Sequence, residues 1–263
     1  MISSQPSRLT FMMSEPSAQN APIYAAENAG FFRIVKLDGV VPELAEIYRL
    51  LAVDPARPDH RRWLQAVEDL LRRTPRLTRP RAVIRVDAVR ELTPRKLVLA
   101  SGATFSGPVA QFLSGVRLVA TFIATIGSAL ERLGRCWLRR GEVVRGLVAD
   151  AVASEVAEAA ARRCQQIVRE WALPQGLEVT PRYSPGYCGL SLDQQRSVFA
   201  GLPAQRINVR LTESSLMVPV KSVSGLIGIG PPGAVGPDRY PCSRCDCPDC
   251  NQRRAPFVRP CLD

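Results

Sequence analysis

Arg182-Tyr183-Ser184-Pro185-Gly186-Tyr187-Cys188-Gly189 gathers residue types that could hold a ligand carrying both a carboxylate and an onium centre. Proline presets a turn and glycine permits close backbone approach. Arginine offers a planar fork for a carboxylate, and tyrosine a π-face for a cation and a hydroxyl for a hydrogen bond. The same residues also suit an ordinary surface turn. A second segment, Leu211 to Gly225, strings Thr212, Glu213, Ser214, Ser215, Ser222 and Ser224 through what reads as strand, turn and strand. Polar groups there need hydrogen-bond partners if they are buried. A third is a cluster of four cysteines within nine residues, Cys242, Cys245, Cys247 and Cys250. It could enclose a structural zinc, ligate an iron–sulfur cluster or simply fold a tail.

Other chemistry is excluded by what the chain lacks. Its 263 residues include a single histidine, His60, so engines that pair an imidazole with serine or cysteine have one candidate. That candidate sits in Pro58-Asp59-His60-Arg61-Arg62 and reads as a solvated first helical turn. The net charge of +11 suggests a mildly attractive field for anionic partners. Of the 35 basic residues only Lys36, Lys96 and Lys221 are lysines, and the arginines are scattered rather than bunched into a nucleic-acid-binding arm. The most apolar run, about 109–130, is interrupted by Gln111, Ser114 and Arg117 and is not expected to span a membrane. The first 30 residues show no signal-peptide pattern, so the expected location is the cytoplasm. In that reducing compartment the cysteine cluster reads as a metal or redox site rather than a disulfide framework.

Several elements must position these groups. Residues 1–30 read as a flexible leader. A helix follows with Trp63, Leu64, Val67, Leu70 and Leu71 on one face. Strands are expected at 82–88, 96–100 and 116–124, the last buried. Helices should run from Ser128 to Arg139 and from after Gly141 to about Trp171. The long helix carries Val143, Val144, Leu147, Val148, Ala151 and Val152 as an apolar stripe, which continues onto Glu155 and Glu158. Carboxylates on a core-facing stripe imply a pocket wall or an arginine partner, unless the helix turns them to solvent. Cys136 and Cys164, on these helices, read as buried small hydrophobes. From 174 the chain reads as irregular, then as a helix over 193–201 and strands over 207–212 and 222–227. Gly228-Ile229-Gly230-Pro231-Pro232-Gly233 opens no helix and reads as a linker to the cysteine tail rather than a phosphate cradle.

In their order and spacing, Arg182 to Tyr187 and Leu211 to Gly225 resemble the activation domain of cobalamin-dependent methionine synthase. That family carries Arg-x-x-Pro-Gly-Tyr, a helix, and then Leu-Thr-Glu-Ser-x-x-Met-x-Pro-x-x-Ser-Val-Ser-Gly. The likeness covers about 31–230, most strongly from 140 on. It implies an α+β fold with a mixed or antiparallel sheet and long helices, followed here by a Cys-rich tail over 231–263. It further implies binding of S-adenosylmethionine and reductive methylation of the cob(II)alamin of a corrinoid protein. Carried over by motif, Arg182 would hold the ligand's carboxylate. Tyr183, Pro185, Gly186 and Tyr187 would form the wall and backbone contacts, and Glu158 would face the cationic end.

The chain departs from the full enzyme in leaving no room for homocysteine, folate or cobalamin modules and in lacking an early Asp-Trp-Thr-Pro segment. It resembles the stand-alone version of the domain, which ends in Cys-x-x-Cys-x4-Cys-x-x-Arg-Arg, matched by Cys242, Cys245, Cys250, Arg253 and Arg254 with Cys247 extra. The implied partner is a methionine synthase lacking its own activation domain, or another corrinoid protein, with cobalamin carried on that partner. A flavodoxin- or ferredoxin-type electron donor would complete this methyltransferase system of methionine biosynthesis. The alternative is a non-enzymatic adaptor that docks on a corrinoid protein and uses its cysteines as a zinc clip.

Overall fold

A computed structural model describes residues 31–187, 189–233 and 235. In chain order the elements are β1 (Phe31–Lys36), α1 (Leu44–Leu51), α2 (Arg61–Leu77), β2 (Arg81–Thr93), β3 (Lys96–Leu99) and β4 (Thr104–Ser106). Then come α3 (Val109–Phe112), β5 (Leu118–Thr125), α4 (Ala129–Arg139), α5 (Val143–Ala172) and β6 (Glu178–Tyr183). The described chain closes with α6 (Gln195–Ala200), β7 (Arg210–Leu211), β8 (Met217–Val218) and β9 (Ser222–Gly230). Seven strands form one sheet in the order β4-β3-β2-β5-β9-β6, with β1 beside the first half of β2. Every pairing in it is antiparallel. The architecture is α+β, as the motifs implied.

The sheet separates two apolar cores. On one face Ile84, Ala120, Phe122, Val179 and Ile227 pack against the helices α1, α2, α4 and α5. On the other, Val83, Val119, Ile123, Tyr183 and Leu226 pack with β3, β4 and α6. Central β5 is buried on both sides along its whole length, consistent with its near-continuous apolar run. Alanines Ala149, Ala151, Ala153, Ala157, Ala160 and Ala161 let α5 lie close to the sheet while other helices cover its back. A helix enclosed on nearly all sides has little need of a polar face. Phe31 of β1 meets Trp171 of α5 with ring centroids 5.3 Å apart, fixing the first strand to the end of that helix.

Several expectations need correction. Val143 and Leu147 of the anticipated stripe are exposed, because with Asp150 they lie on the outward face of α5 while Gly146, Val148 and Ala149 turn inward. Cys164 is buried, whereas Cys136 is only partly so. The alternation over 207–212 yields a strand of two residues: Ile207 ends a 3-10 turn and Asn208 caps it with φ of 59°. The irregular reading after 174 hid β6, which carries Pro181 at the sheet edge, where a missing N–H is tolerated. Gly228 and Gly230 belong to β9, not to a linker. A Cβ at Gly228 would come within 2.6 Å of Val116 Cγ1 and 2.8 Å of Leu113 Cδ2, so the close packing there requires glycine. No helix among the described residues is long and apolar enough to cross a membrane.

Candidate functional site

The Arg182 motif begins at the end of a strand. Between Val179 and Arg182 the pairing of β6 with β9 shifts register. Thr180 occupies the irregularity: its Oγ1 accepts a hydrogen bond from Gly228 N–H at 2.8 Å and donates to Pro181 O at 2.6 Å. Gln165 of α5 donates from Nε2 to Thr180 O at 3.0 Å, tying the irregular edge to the long helix. A bulge re-aims the side chains that follow it, and here those are Arg182 and Tyr183.

Neighbouring strand residues point to opposite faces, which divides the motif. Arg182 meets Glu158 of α5, with Nη2 to Oε2 at 2.5 Å. Tyr183 turns into the other core, where its ring stacks on Phe112 with centroids 5.5 Å apart and planes 11° apart. Beyond the strand the chain folds into a tight turn. Gly186 N–H donates to Leu190 O at 2.7 Å and Tyr187 N–H to Ser184 O at 3.1 Å. Gly186 has φ of 92°, a left-handed conformation that favours glycine. Pro185 is buried beneath the turn, Gly186 is exposed, and Tyr187 projects with half its surface exposed. Thus Glu158 and Arg182 come together, with Pro185, Gly186 and Tyr187 in the adjoining turn and the Tyr183 side chain on the far side of the sheet.

The pair is only partly shielded, with side-chain exposures of 18% for Arg182 and 31% for Glu158. Arg182 Nη1 is buried and has no hydrogen-bond partner among the described residues. The first glutamate of the stripe behaves differently. Glu155 is buried, accepts from Arg162 Nη2 at 2.5 Å and from Glu43 N–H at 3.2 Å. Arg162 also meets Glu43 Oε1 at 3.3 Å, so two carboxylates hold it, although its Nη1 too is buried without a partner. Both glutamates therefore have arginine partners, one of the outcomes the stripe left open. The Glu155 partner was not picked out from the sequence, although Arg162 lies two turns along the same helix face. Gln165 and Thr180, which set the edge geometry, carried no sequence signal.

Cys164 lies in the same stretch of α5. Burial pushes its thiol up to about 12, against the opposing pull of Arg182 and Arg163. A thiol so protonated is no nucleophile at neutral pH. His60 ends a 3-10 turn, where its Nδ1 accepts from Asp54 N–H at 2.9 Å, a local structural contact. Among the described residues no group of three or more His, Cys, Asp or Glu could hold a metal ion. Cys242, Cys245, Cys247 and Cys250 lie outside the described residues.

The Leu211–Gly225 motif forms a closed scaffold on the far face. Ser224 Oγ donates to Gln195 Oε1 at 3.0 Å, and Gln195 Nε2 donates to Ser215 O at 3.1 Å. Ser222 Oγ meets Thr125 Oγ1 at 2.9 Å and donates to Pro219 O at 2.8 Å. Thr212 Oγ1 accepts from Leu216 N–H at 3.0 Å within the β7–β8 hairpin. A Cβ at Gly225 would lie 2.8 Å from Tyr183 O and 2.9 Å from Phe122 Cε1, so this glycine lets β9 seat the strand that carries Arg182.

The fold is shared with a crystal structure of the MetH reactivation domain bound to AdoHcy, at a TM-score of 0.62 and 15% identity over 80% of each chain. No curated protein sequence matches the chain. The family model for the vitamin B12-dependent methionine synthase activation domain matches residues 103–234. The chain belongs to that family. Its matched span contains both motifs, the long helix and every sheet strand from β4 onward.

Proposed function

We propose that the chain binds S-adenosylmethionine across the Glu158–Arg182 pair and assists reductive methylation of cob(II)alamin on a separate methionine synthase or another corrinoid protein. One observation carries this reading: Arg182 uses one nitrogen on Glu158 and keeps Nη1 buried without a partner among the described residues. A buried guanidinium nitrogen without an acceptor is unfavourable, and a ligand carboxylate would satisfy it. An amphoteric ligand can replace the pair partner for partner, its carboxylate on Arg182 and its cationic end at Glu158. Such an exchange strands neither charge.

The turn completes the arrangement. Gly186 leaves its backbone open to close approach, and Tyr187 presents an exposed ring beside the pair-bearing strand. When bound, S-adenosylmethionine supplies an electrophilic methyl group whose carbon–sulfur bond breaks toward the one-electron-reduced corrinoid, S-adenosylhomocysteine leaving and a flavodoxin- or ferredoxin-type donor providing the electron. The chain's own residues bind and orient, a role that needs neither an imidazole base nor a protein nucleophile. In this reading residues 31–230 form the binding module, with a leader before it and a linker and Cys-rich tail after it. The tail's Cys242, Cys245, Cys247 and Cys250 are its candidate zinc or iron–sulfur ligands.

Calorimetry tests the ligand claim directly. The wild-type protein is expected to bind S-adenosylmethionine, and Arg182→Ala to weaken binding at least tenfold. Absence of binding by the wild type removes the claim. Co-purification with a methionine synthase truncated before its own activation domain tests the partner.

A further inference from the structure

A cleft of about 420 Å³ opens between α2, α4 and α5, toward the start of α5. Val148 lines it, ten residues before Glu158, which at 1.5 Å per residue is roughly 15 Å along the helix. It is a different place from the Arg182 site.

The lining has two parts. Leu70, Leu133 and Val148 provide an apolar floor, and Arg72, Arg73 and Arg145 form a rim with Asp69. Trp137 stands between them, with the Arg73 and Arg145 guanidinium carbons 5.8 Å and 5.9 Å from its ring centroid. An indole can hold two guanidiniums by cation–π attraction, but it does not cancel their charge. Arg73 forms no ion pair among the described residues, whereas Arg72 is paired with Asp69 and Arg145 with Glu142. Both pairs join residues three apart; the first is well exposed and the second, at the start of α5, is partly so. Such pairs are weak and exchange readily for a better acceptor.

Three guanidiniums meet two carboxylates, Asp69 in the lining and Glu142 beside it, so the surplus positive charge over the apolar floor is that of Arg73. We infer that this cleft binds a small phosphate monoester, its dianionic head held by Arg72, Arg73 and Arg145 and its apolar body seated on Leu70, Leu133 and Val148. The head offers oxygens to more than one planar fork, engaging Arg73 first and drawing Arg72 and Arg145 from their carboxylates. A bare inorganic phosphate would meet the rim and leave the floor uncovered. A carboxylate of the same body would bring only half the charge.

The inference stands or falls separately from the S-adenosylmethionine reading, since neither set of residues is shared. Phenyl phosphate, benzoate and inorganic phosphate serve as probes for calorimetry on the full chain. Phenyl phosphate is expected to bind saturably and at least tenfold more tightly than either of the others. The Arg73→Ala/Arg145→Ala double variant should weaken that binding at least tenfold while keeping the wild-type circular dichroism spectrum. In NMR titrations the Trp137 indole N–H, identified through Trp137→Phe, should shift more than those of Trp63 and Trp171. Equal binding of all three probes, or no binding of phenyl phosphate, overturns the inference. So does a double variant, folded or not, whose binding is unchanged, or a shift centred on another tryptophan.

Discussion

The two motifs are both rich in polar residues and put them to opposite uses. Around Gln195, the serines of the second motif have their hydrogen bonds taken up inside the protein, and none of their buried side-chain atoms lacks a partner among the described residues. Around Arg182, a buried nitrogen is left over and the neighbouring carboxylate stays partly open. A saturated network specifies shape, whereas an incomplete one reserves capacity for something that arrives later. Polar density alone therefore does not distinguish a scaffold from a site.

The contrast can be broken most forcefully at Gly225. Gly225→Ala is expected to lower stability by about 3 kcal/mol, read by chemical denaturation, since the added methyl meets the Tyr183 carbonyl and the Phe122 ring. Gln195→Leu should cost about 2 kcal/mol by leaving the Ser224 hydroxyl and the Ser215 carbonyl without partners. If either change proved neutral, the second motif would not be the scaffold described. Arg182→Gln should separate the motifs: its unfolding midpoint should move less than that of Gln195→Leu, while ligand binding falls at least tenfold. A smaller effect concerns Cys164. Its folded thiol titrates well above the ordinary value of 9.0, so its contribution to stability is complete below about pH 9 and declines as pH rises toward 12. Peptide-level mass spectrometry after thiol labelling at pH 8 should find Cys164 protected in the native protein and modified once it is unfolded.

Some of this organisation could be read from residue order. The length of α5 and the burial of β5 follow from long runs that leave little choice of element. The arginine partner of Glu155 follows from the cost of burying a carboxylate alone, whereas Glu158, 31% exposed, did not require one. Strand β6 could not be read, because Pro181 and the glycines that follow look like breakers, yet a bulged edge strand accommodates the proline and the glycines fall in the turn beyond it. The end of β9 was obscured in the same way: its glycines serve tight packing against Val116 and Leu113 rather than a turn. Opposite facing of Arg182 and Tyr183 is implicit in strand geometry, but only once β6 is known to be a strand. The pairing of Asn208 with a left-handed turn broke an alternation that otherwise looked like a strand.

Strand β9 also governs when the molecule can become complete. It lies between β5 and β6, pairing Thr125 with Ser222 and Arg182 with Ile227. The Ser222–Thr125 contact spans 97 residues. During synthesis β6 and the Arg182 turn leave the ribosome well before the strand that seats them. Until residue 230 is free, the edge that carries the site has no sheet to join, and the helices wait on an unfinished surface. Such long-range closure is slow compared with local helix formation. Ligand competence should therefore arise in a single late step, and a nascent chain halted before β9 should show helix but no site.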